Sequence, residues 1–213
     1  MGIAELAGRL PEPPVVARWA QALAVADAIM SPEWELRYFS FDAAWGDGEQ
    51  LASMRNGQGD DWSITFSSAG AFLRGFDHEC SLSPFASDPP RLDPRLLAGL
   101  PEPLCPLAEE VAFTLDDVPQ VTLALWSVPA LASWAWGREV DHDGGAWLFD
   151  ELDGRPETYR VFAREYYEKD VPLEALRHVF EHRPLTEAVV GALNPEASLA
   201  ELLGDVRGIG YPT

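Results

Sequence analysis

With 213 residues, 47% of them hydrophobic, the chain is long and apolar enough to bury a sizeable core, which excludes wholesale disorder. A formal net charge of −20 excludes recognition of nucleic-acid backbones, whose affinity comes from cationic neutralisation of phosphates, and it disfavours anionic membrane surfaces. All 15 basic residues but Lys169 are arginines, a bias expected of a GC-rich bacterial genome.

Pro11, Pro13 and Pro14 precede a first helix, where proline's fixed φ and missing donor cost least. Trp19, Leu23, Ala26 and Ile29 or Met30 recur at helical spacing before Ser31-Pro32 ends it. Arg18, Gln21 and Asp27 break the apolar run from Val15 to Met30, so the helix is read as amphipathic. No run approaches the ~20 apolar residues that span a bilayer, and no basic start leads into an apolar leader with a cleavage site. A cytoplasmic protein is therefore expected, with Cys80 and Cys105 reduced.

Trp34 to Trp45 has the aromatic content of a strand, with Leu36, Tyr38 and Ser40 on one side and Arg37, Phe39 and Phe41 on the other. Asp47-Gly48 marks a turn into a second strand, Gln50 to Arg55. Asn56-Gly57 with Gly59-Asp60 marks another turn. Two more strands, Trp62 to Phe66 and Ala71 to Phe76, join through Ser67-Ser68-Ala69-Gly70. Short connections make these four an antiparallel meander. Pro84 to Pro106 reads as a proline-rich crossover around a short helix at Pro94 to Leu100. Val111 to Leu115 and Val121 to Trp126 are expected as strands, the second extending the sheet. Trp134 to Val140 and Ala146 to Phe149 are strand or loop.

From Pro156 the period becomes helical. Tyr159, Phe162, Ala163, Tyr166 and Tyr167 share one face. Pro172 opens a helix with Leu173, Leu176, Val179 and Phe180; Pro184 opens one with Leu185, Ala188, Val189 and Ala192. Asn194-Pro195-Glu196 starts a last helix ending at Gly204. The expected architecture is α+β in a single domain: an N-terminal helix and antiparallel sheet over 1–153, and a helical cap packed on it over 154–213.

Polar residues concentrate between Ser53 and Glu79. Asp77, His78 and Glu79 are three ligand-type side chains in a row, but strand neighbours point to opposite faces, so Asp77 and Glu79 share a side. A metal there needs ligands from elsewhere, and Asp141-His142-Asp143 is the natural second contributor. The spacing matches no established zinc motif, and the alternative is a strand-end histidine bonded to a carboxylate. Asp141 to Gly145 does not open a calcium loop, because Gly145, Ala146 and Leu152 stand where that loop needs ligands and its glycine. Gly57-x-Gly59 lacks the third glycine of a dinucleotide loop, and Asp60 and Asp61 beside it repel phosphate; a tight turn accounts for it better. Arg55 is placed to pair with Asp60, Asp61 or Asp77. No G-x-S-x-G elbow is present, and a Cys80–His78 pair lacks an orienting third group. No cofactor is implied, and no catalytic residue is assigned.

Residues 101–153 carry eleven acids against Arg138 alone, a local charge of −10, together with Trp126, Trp134, Trp136 and Trp147. Trp19, Trp34, Trp62 and Trp126 are read as core. Trp45, Trp134, Trp136 and Trp147 fall nearer loops, as exposed anchors. Indoles among acids suit a basic protein partner, steered by charge and held by buried rings.

The segments RYFSFDAAW, SMRNGQGDDW and GAFLRGFDHE, with YYEKDVP and RPLTEAVV further on, resemble a family of uncharacterised bacterial proteins of similar length. The resemblance covers most of the chain and implies a shared fold without an activity. In size and acidity the chain is also similar in type to immunity proteins of toxin systems. Two functional expectations follow. One is a non-enzymatic, immunity-like protein that binds a basic protein through its acidic, Trp-bearing surface. The other is a metal-dependent or hydrolytic enzyme centred on Arg55, Asp60, Asp61, Asp77, His78 and Glu79, with His142 nearby.

Overall fold

A computed structural model describes residues 2–129, 131, 133–140 and 142–213. Two helices, α1 (Ile3–Arg9) and α2 (Pro13–Met30), precede four strands: β1 (Phe39–Gly46), β2 (Glu49–Arg55), β3 (Asp61–Ser67) and β4 (Gly70–Phe76). A crossover containing α3 (Cys105–Ala108) leads to a small hairpin, β5 (Thr114–Leu115) and β6 (Val118–Pro119), then to β7 (Leu123–Ser127) and β8 (Ala135–Trp136). Helices α4 (Pro156–Tyr166), α5 (Leu173–Phe180), α6 (Glu187–Leu193) and α7 (Leu199–Ile209) follow. The fold is α+β: strands β1, β2, β3, β4, β7 and β8 lie in that order in one antiparallel sheet, and β5 pairs with β6 alone. Among the described residues, no helix is long and apolar enough to cross a membrane.

Several boundaries differ from the sequence reading, each for a local reason. Trp34–Leu36 is a 3-10 turn rather than strand, because the Arg37 guanidinium reaches back to the carbonyls of Ser31 and Pro32, both at 2.9 Å, and curls the segment. Val111–Phe113 is another such turn, its first amide bonds closed by the Glu110 carboxylate on the Ala112 N–H at 3.1 Å. Pro94 to Leu100 forms successive turns instead of a helix, and Ala146–Phe149 is a 3-10 turn. Helix α1 carries no periodic signal long enough to read. Helix α7 runs through Gly204 to a left-handed Gly210, because Leu202, Val206 and Ile209 are buried and outweigh glycine's low propensity.

The chain forms two compact units, 1–13 with 54–150, and 14–53 with 151–213. In the first, the register sets Ser63 opposite Arg74 and Arg74 opposite Ala124, with Thr65, Phe72 and Trp126 in the next row. Side-chain alternation then puts Phe72, Ala124 and Trp126 on one face, packed with Leu96, Leu104, Ala108 and Val121 from the crossover. Trp62, Ile64, Leu73 and Leu123 take the other face, where the Phe149 ring stacks on Trp62 at 5.5 Å.

Helix α2 is the spine of the second unit. From Ala22 to Met30 it is buried on every side, so its amphipathic character is confined to the first turns. Four side-chain bonds tie it to the C-terminal segment: His182 Nε2 to the Arg18 carbonyl at 2.8 Å, Gln21 Nε2 to the Ile209 carbonyl at 3.0 Å, the Tyr159 hydroxyl to Asp27 at 2.8 Å, and Asn194 Nδ2 to the Ile29 carbonyl at 2.8 Å. Asp27, which the sequence presents as an interruption of an apolar run, is fully buried. Its other oxygen accepts the N–H groups of Tyr38 and Phe39 at 2.7 and 2.9 Å, so it caps the backbone entering β1.

Candidate functional site

The turn between β2 and β3 is built on Asn56. Its Oδ1 accepts the N–H groups of Gln58 and Asp60 at 2.8 and 3.2 Å, and its Nδ2 donates to Asp60 Oδ2 at 2.7 Å. Gly59 sits at φ +108, and a Cβ there would lie 3.3 Å from the His78 ring. The glycine thus serves the turn and the approach of the imidazole. Asp60 Oδ1 accepts the His78 main-chain N–H at 3.0 Å and faces His78 Nδ1 at 2.7 Å. Burial raises the Asp60 carboxyl, but the His78 and Asn56 donors outweigh it and hold the group below its ordinary range. The Asp60 hydrogen bond in turn lifts His78 above its ordinary value against the opposing effect of desolvation. Glu79 stands 3.9 Å from His78 Nε2, with its side chain almost wholly in solvent.

Asp61 turns away from this group. Its partner is Arg74, a buried arginine on the adjacent strand; Arg55, exposed at the end of β2, also acts on Asp61 electrostatically. Arg74 Nε donates to Ser63 Oγ at 3.0 Å and Nη1 to the Gln120 carbonyl at 2.8 Å, while its guanidinium carbon lies 4.1 Å over the Phe113 ring. Burial raises the Asp61 carboxyl despite the arginine, and burial lowers Arg74 despite the carboxylate. The signal for Arg74 was in the chain: it alternates with Phe72 and Phe76, so an arginine stands on a face whose neighbours are core.

Strand β4 ends at Phe76, so Asp77, His78 and Glu79 form a turn, closed by the Cys80 N–H on the Asp77 carbonyl at 3.1 Å, and strand alternation does not sort them. Asp77 Oδ1 accepts the Glu79 N–H at 3.2 Å and Oδ2 accepts Trp147 Nε1 at 3.2 Å. The Asp77 N–H donates to Thr122 Oγ1 at 3.0 Å, and that hydroxyl donates to the Gly144 carbonyl at 2.7 Å, which seats the 142–147 loop against the end of β4. The loop therefore does approach the Asp77 turn, but His142 meets Cys80 and not His78: Cys80 Sγ lies 3.3 Å from His142 Nδ1. The histidine partner of Cys80 is thus 62 residues away rather than two. Burial raises the Cys80 thiol, against the Leu82 N–H that it accepts, so it is a neutral donor and not an activated nucleophile. Both cysteines are free.

Of the indoles expected at the surface, Trp136 and Trp147 are 36% and 42% exposed and Trp45 is 37% exposed. Trp134 is not: it is 3% exposed, with Nε1 donating to the Pro11 carbonyl at 2.7 Å. Trp134 precedes β8, which begins at Ala135, so the strand rule that puts positions two apart on one face does not govern it, and the two indoles differ in burial. Trp34, expected in the core, is 52% exposed because the 3-10 turn carries it outward. Trp62 and Trp126 are buried.

Asp141 lies outside the described residues, and among those described no group of three or more His, Cys, Asp or Glu side chains is arranged to hold a metal ion. No family model, curated protein or solved structure matches the chain.

Proposed function

We propose that the chain is a non-enzymatic protein-binding protein, immunity-like in kind, that engages a basic partner through acidic surface bearing exposed apolar side chains. One observation carries the reading: Val111 and Leu115 are 79% and 50% exposed, set between Glu109 and Glu110 on one side and Asp116 and Asp117 on the other. Apolar anchors ringed by one sign of charge combine steering with buried contact area. Leu115 is presented by the β5–β6 hairpin and Val111 by the 3-10 turn before it. The hairpin's turn holds Asp116 and Asp117 at φ 51 and 62, the conformation of a tight primed turn, and Phe113 at its base lies under the Arg74 guanidinium. Trp136 and Trp147 extend the exposed apolar surface of the same unit. The Asp60–His78 and Asp77–Glu79 groups support an enzymatic reading less well, because their polar atoms are spent on one another and on main-chain amides.

Affinity capture from native lysate, at low and high salt, tests the proposal. A basic protein should be retained at low salt and released at high salt. Replacing Val111 and Leu115 by serine, or Asp116 and Asp117 by asparagine, which tolerates the same backbone, should weaken its binding at least tenfold. Absence of any salt-sensitive partner, or retention by both variants, overturns it.

A further inference from the structure

A surface pocket of about 430 Å³ opens beside the Cys80 turn, lined in part by Ser81, Ser83, Ser87, Arg91, Arg95 and His142. Its size falls in the range of small-molecule sites. Its lining is unusual for a chain of net charge −20, because two arginines and a histidine stand there against one acid, Asp93. Arg95 is satisfied by two-pronged bonding to Asp93. Arg91, by contrast, is exposed and enters no ion pair among the described residues. Ser83 is 6% exposed, and its hydroxyl makes no hydrogen bond among the described residues. Its oxygen keeps access to solvent, so the hydroxyl is open to an acceptor bound in the pocket.

The third donor follows from the histidine's surroundings. His142 Nδ1 accepts the Gly144 N–H at 3.1 Å and receives the Cys80 thiol at 3.3 Å. A main-chain N–H can only donate, so the lone pair of Nδ1 is committed and the proton of the neutral ring sits on Nε2. Asp143 Oδ1, 3.2 Å from the same nitrogen, accepts the Gly145 N–H at 3.1 Å. Cys80 and Gly144 therefore act as positioning groups that leave Nε2–H as the donor of a ring that lines the pocket.

We infer that this pocket binds the phosphate group of a small organic phosphate, through the forked guanidinium of Arg91, the Nε2–H of His142 and the hydroxyl of Ser83. The arrangement of donors selects the ligand. Two guanidinium N–H groups, an imidazole N–H and a hydroxyl would need every lone pair of a carboxylate, all in one plane, whereas the three terminal oxygens of a phosphate monoester accept them from several directions and carry more charge. The site is separate from the acidic hairpin proposed to bind protein.

NMR titration of the full chain at constant ionic strength tests the inference, with inorganic phosphate, phenyl phosphate and acetate as probes. Saturable shifts confined to residues 81–95 and 142–145 are expected for both phosphates, with acetate at least tenfold weaker. Arg91→Ala and Ser83→Ala should each weaken phosphate binding, the first at least tenfold, while Lys169→Ala, in the other unit, leaves it unchanged. The ¹⁵N shifts of His142 should report a proton on Nε2. No saturable phosphate binding, acetate binding as tightly, an unaffected Arg91→Ala variant, or a neutral His142 protonated on Nδ1 would each overturn it. Arg91 is exposed, so its variant is expected to fold, and the spectra themselves verify that it has.

Discussion

Arg74 and Asp27 are the two charged residues on which the interiors of the units turn, and the two tolerate loss differently. Removing Arg74 strands Asp61 in the first unit, its carboxyl already raised by burial. Arg74→Met is expected to cost about 3–5 kcal/mol in urea denaturation, and replacing Asp61 by leucine in the same chain to recover much of it. An unchanged midpoint for the single variant would show that the pair contributes nothing. Asp27 is a different case. Burial, working against the Phe39, Tyr159 and Tyr38 donors, pushes its carboxyl from 3.8 up to about 6. The Tyr167 hydroxyl also acts on it, although that oxygen has no partner within hydrogen-bond geometry. Between those two values the folded form keeps a proton that the unfolded form has lost. Stability from this group is therefore full below about pH 4 and declines up to about pH 6, by on the order of 3 kcal/mol. Asp27→Asn keeps an acceptor for the Tyr38 and Phe39 amides and cannot ionise. Relative to wild type, it should gain about that amount between pH 4 and pH 7, and a constant difference across the range would refute the assignment. Arg74 had a signal in its alternation with Phe72 and Phe76, whereas the role of Asp27 was not legible beforehand. A lone acid in an apolar run looks like a polar stripe until its partner, Tyr159, is known to lie 132 residues away.

At the scale of elements, the legible parts were those with local punctuation. Asp47-Gly48, Asn56-Gly57 and Ser67 to Gly70 fixed the hairpins to within a residue or two, because positive φ at these points is a chemical demand. The α4 and α5 faces were equally plain from their period. What escaped were short turns whose shape depends on a side chain reaching back, as Arg37 does, and the burial of residues flanking a strand only two residues long. Trp134 and Trp136 test the second point. Trp134→Ala is expected to destabilise the protein by about 3–5 kcal/mol, and Trp136→Ala by less than about 1 kcal/mol. Similar losses for the two would contradict their different burial.

At the scale of the molecule, the units are not consecutive stretches of chain. The second joins α2 and β1 to the four C-terminal helices. Those helices run 7 to 11 residues, below the length at which an isolated helix persists in water. A fragment of residues 154–213 should therefore show little helix by circular dichroism, and adding a peptide of residues 14–53 should raise it. A fragment that folds alone would show that α2 is dispensable. The candidate site was legible in part for the same reason that the units were not. The Asp60–His78 contact spans a single hairpin, 18 residues, whereas Cys80–His142 and Trp147–Asp77 close over 62 and 70.

The burial of α2 on all sides from Ala22 onward has a consequence for synthesis. The helix leaves the ribosome more than a hundred residues ahead of the segment that encloses it. At about 5–20 residues per second, its alanine, valine and isoleucine side chains stay uncovered for on the order of ten seconds. A nascent chain of this kind invites a holdase such as a ribosome-associated chaperone, and cells lacking one should accumulate the protein in inclusion bodies.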